Sequence, residues 1–177
     1  MKTIVIYKSK TGYTKNYAKW LSKDLQCESY DINQITTSKL KDYDTVIYGG
    51  GLYAGGISGL KKFKKLIKDI NTTNVIVYFT GASSSQSFEM DELTTRNFTS
   101  QELKKYKFYY FRGGFDFDRL SFIDKLLMIA FKANIKSNKK KRPLTPDEKG
   151  MLEAYNKSVD FTKANKIKPL VDYIRSL

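Results

Sequence analysis

Short apolar, β-branched runs alternate with helical patterns along most of the chain, and this alternation constrains the fold most strongly. The clearest runs are 3–7, 44–49, 74–81 and 108–113, and residues 27–32 form a weaker one. Runs this short and apolar on both faces are typical of central parallel strands, and the intervening helical patterns indicate right-handed βαβ units. The sequence therefore predicts an α/β fold, a doubly wound sheet of five parallel strands with helices on both faces.

The helical patterns follow the strands in order. The first begins after Thr14, the candidate N-cap, and Pro146 lies at the start of another that we expect to reach Val159. No linker divides the chain, so we expect a single domain, 1–177, with an aromatic and basic insert at 115–142. The remaining predicted helices are 58–69, 100–106, 120–131 and 169–176.

Composition excludes several kinds of chemistry. The chain has no histidine, which removes Ser-His-Asp, Cys-His and HExxH systems. Its only cysteine, Cys27, cannot form an internal disulfide and is expected to be a small buried side chain. No signal peptide or apolar run of membrane-spanning length is visible, so we expect a cytoplasmic protein. We predict no metal site and no catalytic side chain.

The loops after the strands are where an open α/β sheet binds ligands. The loop 9–14 combines the hydroxyls of Ser9, Thr11 and Thr14 with a flexible Gly12 at a helix start, which suits a phosphate monoester. A Walker loop is absent, and the glycines at 49–51 imitate a dinucleotide fingerprint only loosely. A phosphoacceptor receiver domain would need an aspartate where the third strand ends in glycine.

Ser9-x-Thr11-Gly12-x-Thr14, placed directly after the first strand, resembles the FMN-phosphate loop of flavodoxins, Ser/Thr-x-Thr-Gly-x-Thr. The resemblance implies a flavodoxin-like fold with strand order 2-1-3-4-5 and one FMN at the carboxyl edge of the sheet. The glycine-rich loop after strand three and the loop 80–85 would flank the flavin ring, with Tyr53 the best candidate to stack on it. The implied cofactor-binding residues are Ser9, Lys10, Thr11, Gly12, Tyr13, Thr14, Gly50, Gly51, Leu52, Tyr53, Ala54, Gly55, Thr80, Gly81, Ala82 and Ser83.

A narrower resemblance concerns the insert and the charge. Phe115-x-Phe117-x-Arg119-Leu-x-Phe122-Ile-Asp124 is similar to the corresponding segment of the flavodoxin-like, menaquinone-dependent protoporphyrinogen IX dehydrogenases. Carrier flavodoxins are typically acidic, whereas this chain has a net charge of +14. The resemblance implies an FMN-dependent oxidoreductase with a quinone and a porphyrinogen as candidate substrates.

Two alternatives remain open. One is an electron carrier that serves an acidic redox partner, and the other, from a different class, is a basic nucleic-acid-binding protein, for which no binding motif is present and no nucleic acid is expected. The phenylalanines of the insert are expected either in the core or in contact with a substrate or a membrane. Phe122, Leu126, Ile129 and Ala130 recur at helical spacing before the cations of 132–142, which predicts peripheral contact with an anionic membrane.

Overall fold

The computed structural model describes residues 1–53, 56–84, 89–139, 142–155 and 157–177. The central sheet has five parallel strands: β1 Thr3–Lys8, β2 Glu28–Asp31, β3 Thr45–Tyr53, β5 Asn74–Gly81 and β6 Lys107–Arg112. Their order in the sheet is β2-β1-β3-β5-β6. Counted along the chain as parallel strands alone, this is the predicted order 2-1-3-4-5, and the flavodoxin-like fold class is confirmed.

Three short strands lie outside this parallel path. Gly56–Ile57 (β4) pairs antiparallel with the end of β3, and Gly114–Phe115 (β7) pairs antiparallel with Val159–Asp160 (β8). The predicted helix 146–159 was therefore wrong at its end, since Val159 belongs to a strand. The helix α7 covers only Pro146–Ala154 and begins with a capping box between Thr145 and Glu148.

The helices cover both faces of the sheet. On one face, the helical residues Phe63 and Leu93 join the cluster that contains Val77. On the other, the helical residues Tyr17 and Leu170 join the cluster around Ile76. Neighbouring strand residues supply opposite clusters because side chains alternate across a strand. The helices are α1 Tyr13–Asp24, α2 Thr37–Leu40, α3 Leu60–Ile67, α4 Met90–Asn97, α5 Ser100–Lys105, α6 Phe122–Lys139, α7 Pro146–Ala154 and α8 Lys168–Arg175.

The insert builds a third, smaller cluster at the carboxyl edge of the sheet. Phe115, Leu120 and Ala154 are buried there, against partly buried side chains that include Tyr53 and Ala82 of the central sheet's loops. The helix α6 runs to Lys139, eight residues beyond the predicted end at 131, because the lysines and alanine that follow sustain a helix as well as apolar residues do. No helix among the described residues could span a membrane.

The aromatic residues of the insert differ in burial. Phe115 is buried and Phe117 is partly buried in the third cluster, whereas Phe122 is 76% exposed. Cys27 was expected to be a small buried side chain; it packs against the cluster around Ile76 but is only partly buried. Desolvation by its neighbours nevertheless raises the pKa of the Cys27 thiol to about 11.

Candidate functional site

Three loops at the carboxyl edge of the sheet line one cavity of about 860 Å³. They are the loop between β1 and α1, the end of β3 and the loop after β5. Eleven predicted site residues lie in the cavity wall. This agrees with the strand order, which brings the carboxyl ends of β1, β3 and β5 next to one another. These are Lys10, Thr11, Tyr13, Thr14, Gly51, Leu52, Tyr53, Thr80, Gly81, Ala82 and Ser83.

The other predicted residues have different positions. Ser9 and Gly12 shape the first loop from outside the cavity lining, since the Ser9 hydroxyl accepts the Gly12 N–H at 3.1 Å. Gly50 also lies outside the lining. A Cβ built on Gly50 would lie 2.4 Å from Cγ2 of Ile57. The missing side chain therefore leaves room for Ile57 of β4 and does not face the cavity. Ala54 and Gly55 fall outside the described residues.

The helix α1 begins two residues earlier than predicted. Gly12, with φ of 100°, is its N-cap, so Thr14 lies inside the first turn and the prediction of Thr14 as N-cap was wrong. The left-handed backbone at Gly12 turns the chain into the helix. As at every helix start, the first backbone N–H groups of α1 have no acceptor within the helix. Here they are hydrogen-bond donors beside the cavity.

The hydroxyl of Thr14 has a partner across the sheet. Its Oγ1 lies 2.7 Å from Oγ1 of Thr80 at the end of β5, and both residues are buried. Tyr78 of the same strand donates its hydroxyl proton to the Thr14 carbonyl oxygen at 3.0 Å. These two contacts fix the first turn of α1 relative to β5, and with it one wall of the cavity.

The last strand positions the loop after β5. Arg112 Nε donates to the carbonyl oxygen of Ala82 at 3.0 Å, and the Tyr110 hydroxyl donates to that of Ser83 at 2.8 Å. The carbonyl groups of both predicted residues therefore point toward β6. This arrangement holds the loop as a fixed side of the cavity.

Tyr53 lies opposite the first loop. The Lys10 ammonium is 4.1 Å from the centroid of its ring, a cation–π contact. Burial raises the pKa of the Tyr53 phenol, and the carboxylate of Asp124 adds to the rise. The phenol is neutral at physiological pH, so the ring is an aromatic wall with a polar edge.

The insert covers the cavity, and sequence analysis missed its contribution. Leu127, Met128, Ala130 and Phe131 of α6 line the wall facing the three loops, together with Met151 of α7. The aromatic and basic composition of 115–142 marked this segment as unusual in the sequence. A helical pattern alone, however, does not show against which part of the fold the helix packs. Ala130, expected on the same outer face as Phe122, instead lines the cavity.

A pair of carboxylates borders the cavity at α4 and was also missed. Glu89 and Glu92 both line the wall, and a hydrogen bond between them raises the pKa of Glu89. Arg96, one turn further, forms an ion pair with Glu92. Because the α4 sequence is mostly polar, it gave no helical signal in the sequence.

The described side chains fit a mononucleotide. A helix N-terminus with adjoining hydroxyl groups suits a phosphate, and a cavity of this size with an apolar α6 wall and the aromatic Tyr53 suits an aromatic ring system. A model of the flavodoxin domain matches residues 4–142, most of the chain.

The chain belongs to the flavodoxin family.

Solved structures that are similar to this chain include flavodoxins. Oxidised Flavodoxin 1 from Bacillus cereus is 16% identical, with a TM-score of 0.49 over 63% of this chain and 84% of that one. A flavodoxin from the domain Archaea is 14% identical, with a TM-score of 0.47 over 72% and 90%. A flavoprotein in complex with FMN from Lactobacillus acidophilus is 15% identical, with a TM-score of 0.45 over 63% and 92%. No curated protein sequence matched this flavodoxin-family chain.

Proposed function

We propose that the cavity binds FMN and that the protein is an FMN-dependent oxidoreductase. The observation that carries this proposal is the position of α6, which covers the cavity formed by the three loops of a flavodoxin-family sheet. A carrier requires an exposed flavin edge at which its partner docks. A helix laid over the cavity instead creates an apolar compartment beside the ring.

Each side of the cavity has its own task in this proposal. The loop 9–14 and the first N–H groups of α1 hold the phosphate, with Thr11 contributing a hydroxyl. Tyr53 and the loop 80–83 hold the ring from opposite sides. Ala54 and Gly55, which the resemblance adds to the ring site, stay a prediction.

Flavins supply hydride and single-electron transfer when bound, and the protein's side chains need only bind, orient and exclude water. This division of labour agrees with a chain that has no histidine. Leu127, Met128 and Phe131 give the α6 side of the cavity an apolar lining, against which a bound ring system would exclude water. We nominate no side chain as a catalytic acid or base.

The second reactant would lie under α6, where the wall is apolar. A quinone acceptor and a porphyrinogen donor, the pair implied by the resemblance of the insert, both have large apolar ring systems that suit such a wall. Protoporphyrinogen IX oxidation with a quinone is therefore our specific hypothesis. A flavodoxin-type electron carrier is the competing outcome.

We also propose peripheral contact with an anionic membrane through the outer side of α6. Phe122, Ile123, Leu126 and Ile129 are each more than half exposed and do not line the cavity. Lys136 and Lys139, on the same helix, are exposed as well. An apolar helix face followed by cations is typical of interfacial helices.

An absorption spectrum of the purified protein, after addition of FMN and removal of the unbound excess, tests the cofactor. Retained bands of oxidised flavin are expected, and their absence would contradict FMN binding. Anaerobic assays with a quinone and with protoporphyrinogen IX then separate the enzyme from the carrier. A protein that exchanges single electrons with a reductase but turns over neither compound would be a carrier.

A further inference from the structure

Arg119 lies in the loop between β7 and α6, where Asp116 fixes its position. The Asp116 carboxylate accepts the N–H groups of Asp118 and Arg119 at 3.1 and 3.3 Å through one oxygen. Its other oxygen is 3.1 Å from Nε of Arg119. The Asp116 side chain is only 15% exposed, so it is a firm anchor for the guanidinium.

The outer edge of this guanidinium lies over the first loop. Nη1 of Arg119 donates to the Thr11 carbonyl oxygen at 3.5 Å. The same nitrogen is 4.0 Å from the position that a Cβ on Gly12 would occupy. Asp116 and Leu120, three residues before and one residue after Arg119, line the cavity, whereas the Arg119 side chain is 65% exposed and lies outside the lining, beside the Thr11–Gly12 turn. The insert thus brings a positive charge to the turn at which α1 begins, 108 residues away in the chain.

The cation of the loop itself is engaged elsewhere. Lys10 donates to both carboxylate oxygens of Asp124 at 2.8 Å, and it lies on the Tyr53 ring. Asp124 is buried and also accepts the hydroxyl of Ser121 at 2.7 Å. This pairing directs the Lys10 ammonium toward α6, which makes Arg119 the cation placed to serve an anion at the Thr11–Gly12 turn.

We propose that Arg119 is the insert's ligand for the phosphate of the bound mononucleotide. The inference rests on the proposed function, because it concerns the same cofactor site. A guanidinium has five N–H donors in a planar fork that matches phosphate oxygens, and Asp116 and Thr11 engage two of them here. The insert thereby recognises a phosphate ester in addition to covering the cavity, and the positive charge favours the dianion.

Titration calorimetry of the ligand-free 177-residue chain with FMN and with riboflavin tests this role. Arg119→Gln is expected to weaken FMN binding about tenfold to a hundredfold and to leave riboflavin binding unchanged, since the lost contact is a charged hydrogen bond to phosphate. Arg119→Lys keeps the positive charge but not the planar guanidinium geometry, so it should weaken FMN binding less than Arg119→Gln does. Lys136→Gln removes one positive charge from α6 away from the loop and should match the parent protein. Inorganic phosphate should compete with FMN more weakly in Arg119→Gln than in the parent.

The outcomes separate this inference from the proposed function. A parent protein that binds riboflavin as tightly as FMN would overturn the phosphate site itself. A parent that prefers FMN, together with an Arg119→Gln variant that prefers it equally, would overturn the role of Arg119 alone. Equal weakening of FMN and riboflavin in Arg119→Gln would also overturn it, because a purely structural role would affect both ligands.

Discussion

The ammonium of Lys10 lies 2.8 Å from both carboxylate oxygens of Asp124, and this ion pair joins the loop after β1 to the first turn of α6. The two residues are 114 positions apart. Asp124 is 6% exposed, whereas the Lys10 side chain is 40% exposed. The pair therefore attaches the insert to the edge of the cavity while remaining partly open to solvent.

Replacement of Asp124 by Asn should loosen the insert. The neutral amide keeps the size of the side chain but loses the charge partner of Lys10, so we expect the free energy of unfolding to fall by about 1 kcal/mol. Amide exchange in 122–128 should rise at the same time. The matched control is Asp172→Asn, which breaks an exposed pair with Lys168 at one helix turn and should cost at most about 0.5 kcal/mol. Equal exchange in Asp124→Asn and the parent would contradict the attachment.

The ion pair between Lys10 and Asp124 also predicts how the stability of the fold depends on pH. The hydrogen bond from Lys10 lowers the pKa of Asp124 below its ordinary value of 3.8. A carboxyl whose pKa is lower in the folded protein stabilises the fold above its ordinary pKa, and this contribution is lost as the pH falls through the lowered value. The difference in unfolding free energy between the parent and Asp124→Asn should therefore have its largest value at pH 7 and become smaller below about pH 4. Urea unfolding of both proteins across this range measures it, and a constant difference would refute the assignment.

Gly49 should tolerate no side chain. A Cβ on Gly49 would lie 2.0 Å from Cζ of Tyr78, a fully buried ring whose hydroxyl holds the Thr14 carbonyl. We expect Gly49→Ala to lower the unfolding free energy by about 3 kcal/mol. Gly150 of α7 has no atom within 4 Å of its Cβ position, so Gly150→Ala should stabilise the protein by about 0.5 kcal/mol or more. Thermal unfolding of the two variants should shift in opposite directions.

The outer side of α6 should bind anionic vesicles. We expect the protein to sediment with vesicles that contain anionic lipid, and binding to weaken as salt screens the charges. Lys136→Gln with Lys139→Gln should reduce binding by about tenfold or more, since each cation contributes about 1 kcal/mol near such a surface. Arg142 is left intact because it forms two hydrogen bonds to Glu148 at 2.8 Å.

The control for this experiment removes the same charge from another helix. Lys61→Gln with Lys65→Gln changes two exposed residues of α3 and should leave vesicle binding unchanged. Equal loss in both double variants would show that net charge, and not α6, attracts the vesicles. Replacement of Phe122 by Ser should weaken binding without affecting the affinity for FMN.

Local patterns predicted the sheet because strand and helix periods are properties of short segments. The five parallel strands and their order followed from the apolar runs and the family resemblance, and the cavity formed at the edge where the loops were expected to meet. The helices α2 and α4 were missed, since α2 has only four residues and α4 buries only two side chains, Leu93 and Thr94. Neither carries enough apolar residues to show a helical period.

The contacts that decide individual roles are long-range and left no local trace. Thr14 has the residue type of an N-cap, but its hydroxyl pairs with Thr80, 66 residues away. Gly50 and Gly51 are adjacent and chemically identical, yet Ile57 packs against one while the other faces the cavity. Lys10 and Thr11 likewise find their partners, Asp124 and Arg119, in an insert whose packing no motif specified.

The most direct test of the central claim is the comparison of FMN and riboflavin binding to the parent protein and to Thr11→Ala. The two ligands differ only in the phosphate that the loop 9–14 is proposed to hold. We expect the parent to bind FMN far more tightly than riboflavin, and Thr11→Ala to reduce this preference by about tenfold, the value of one hydrogen bond to a charged group. Titration calorimetry gives all four dissociation constants. Equal affinities of the parent protein for FMN and riboflavin would contradict the phosphate site and, with it, the account of this cavity.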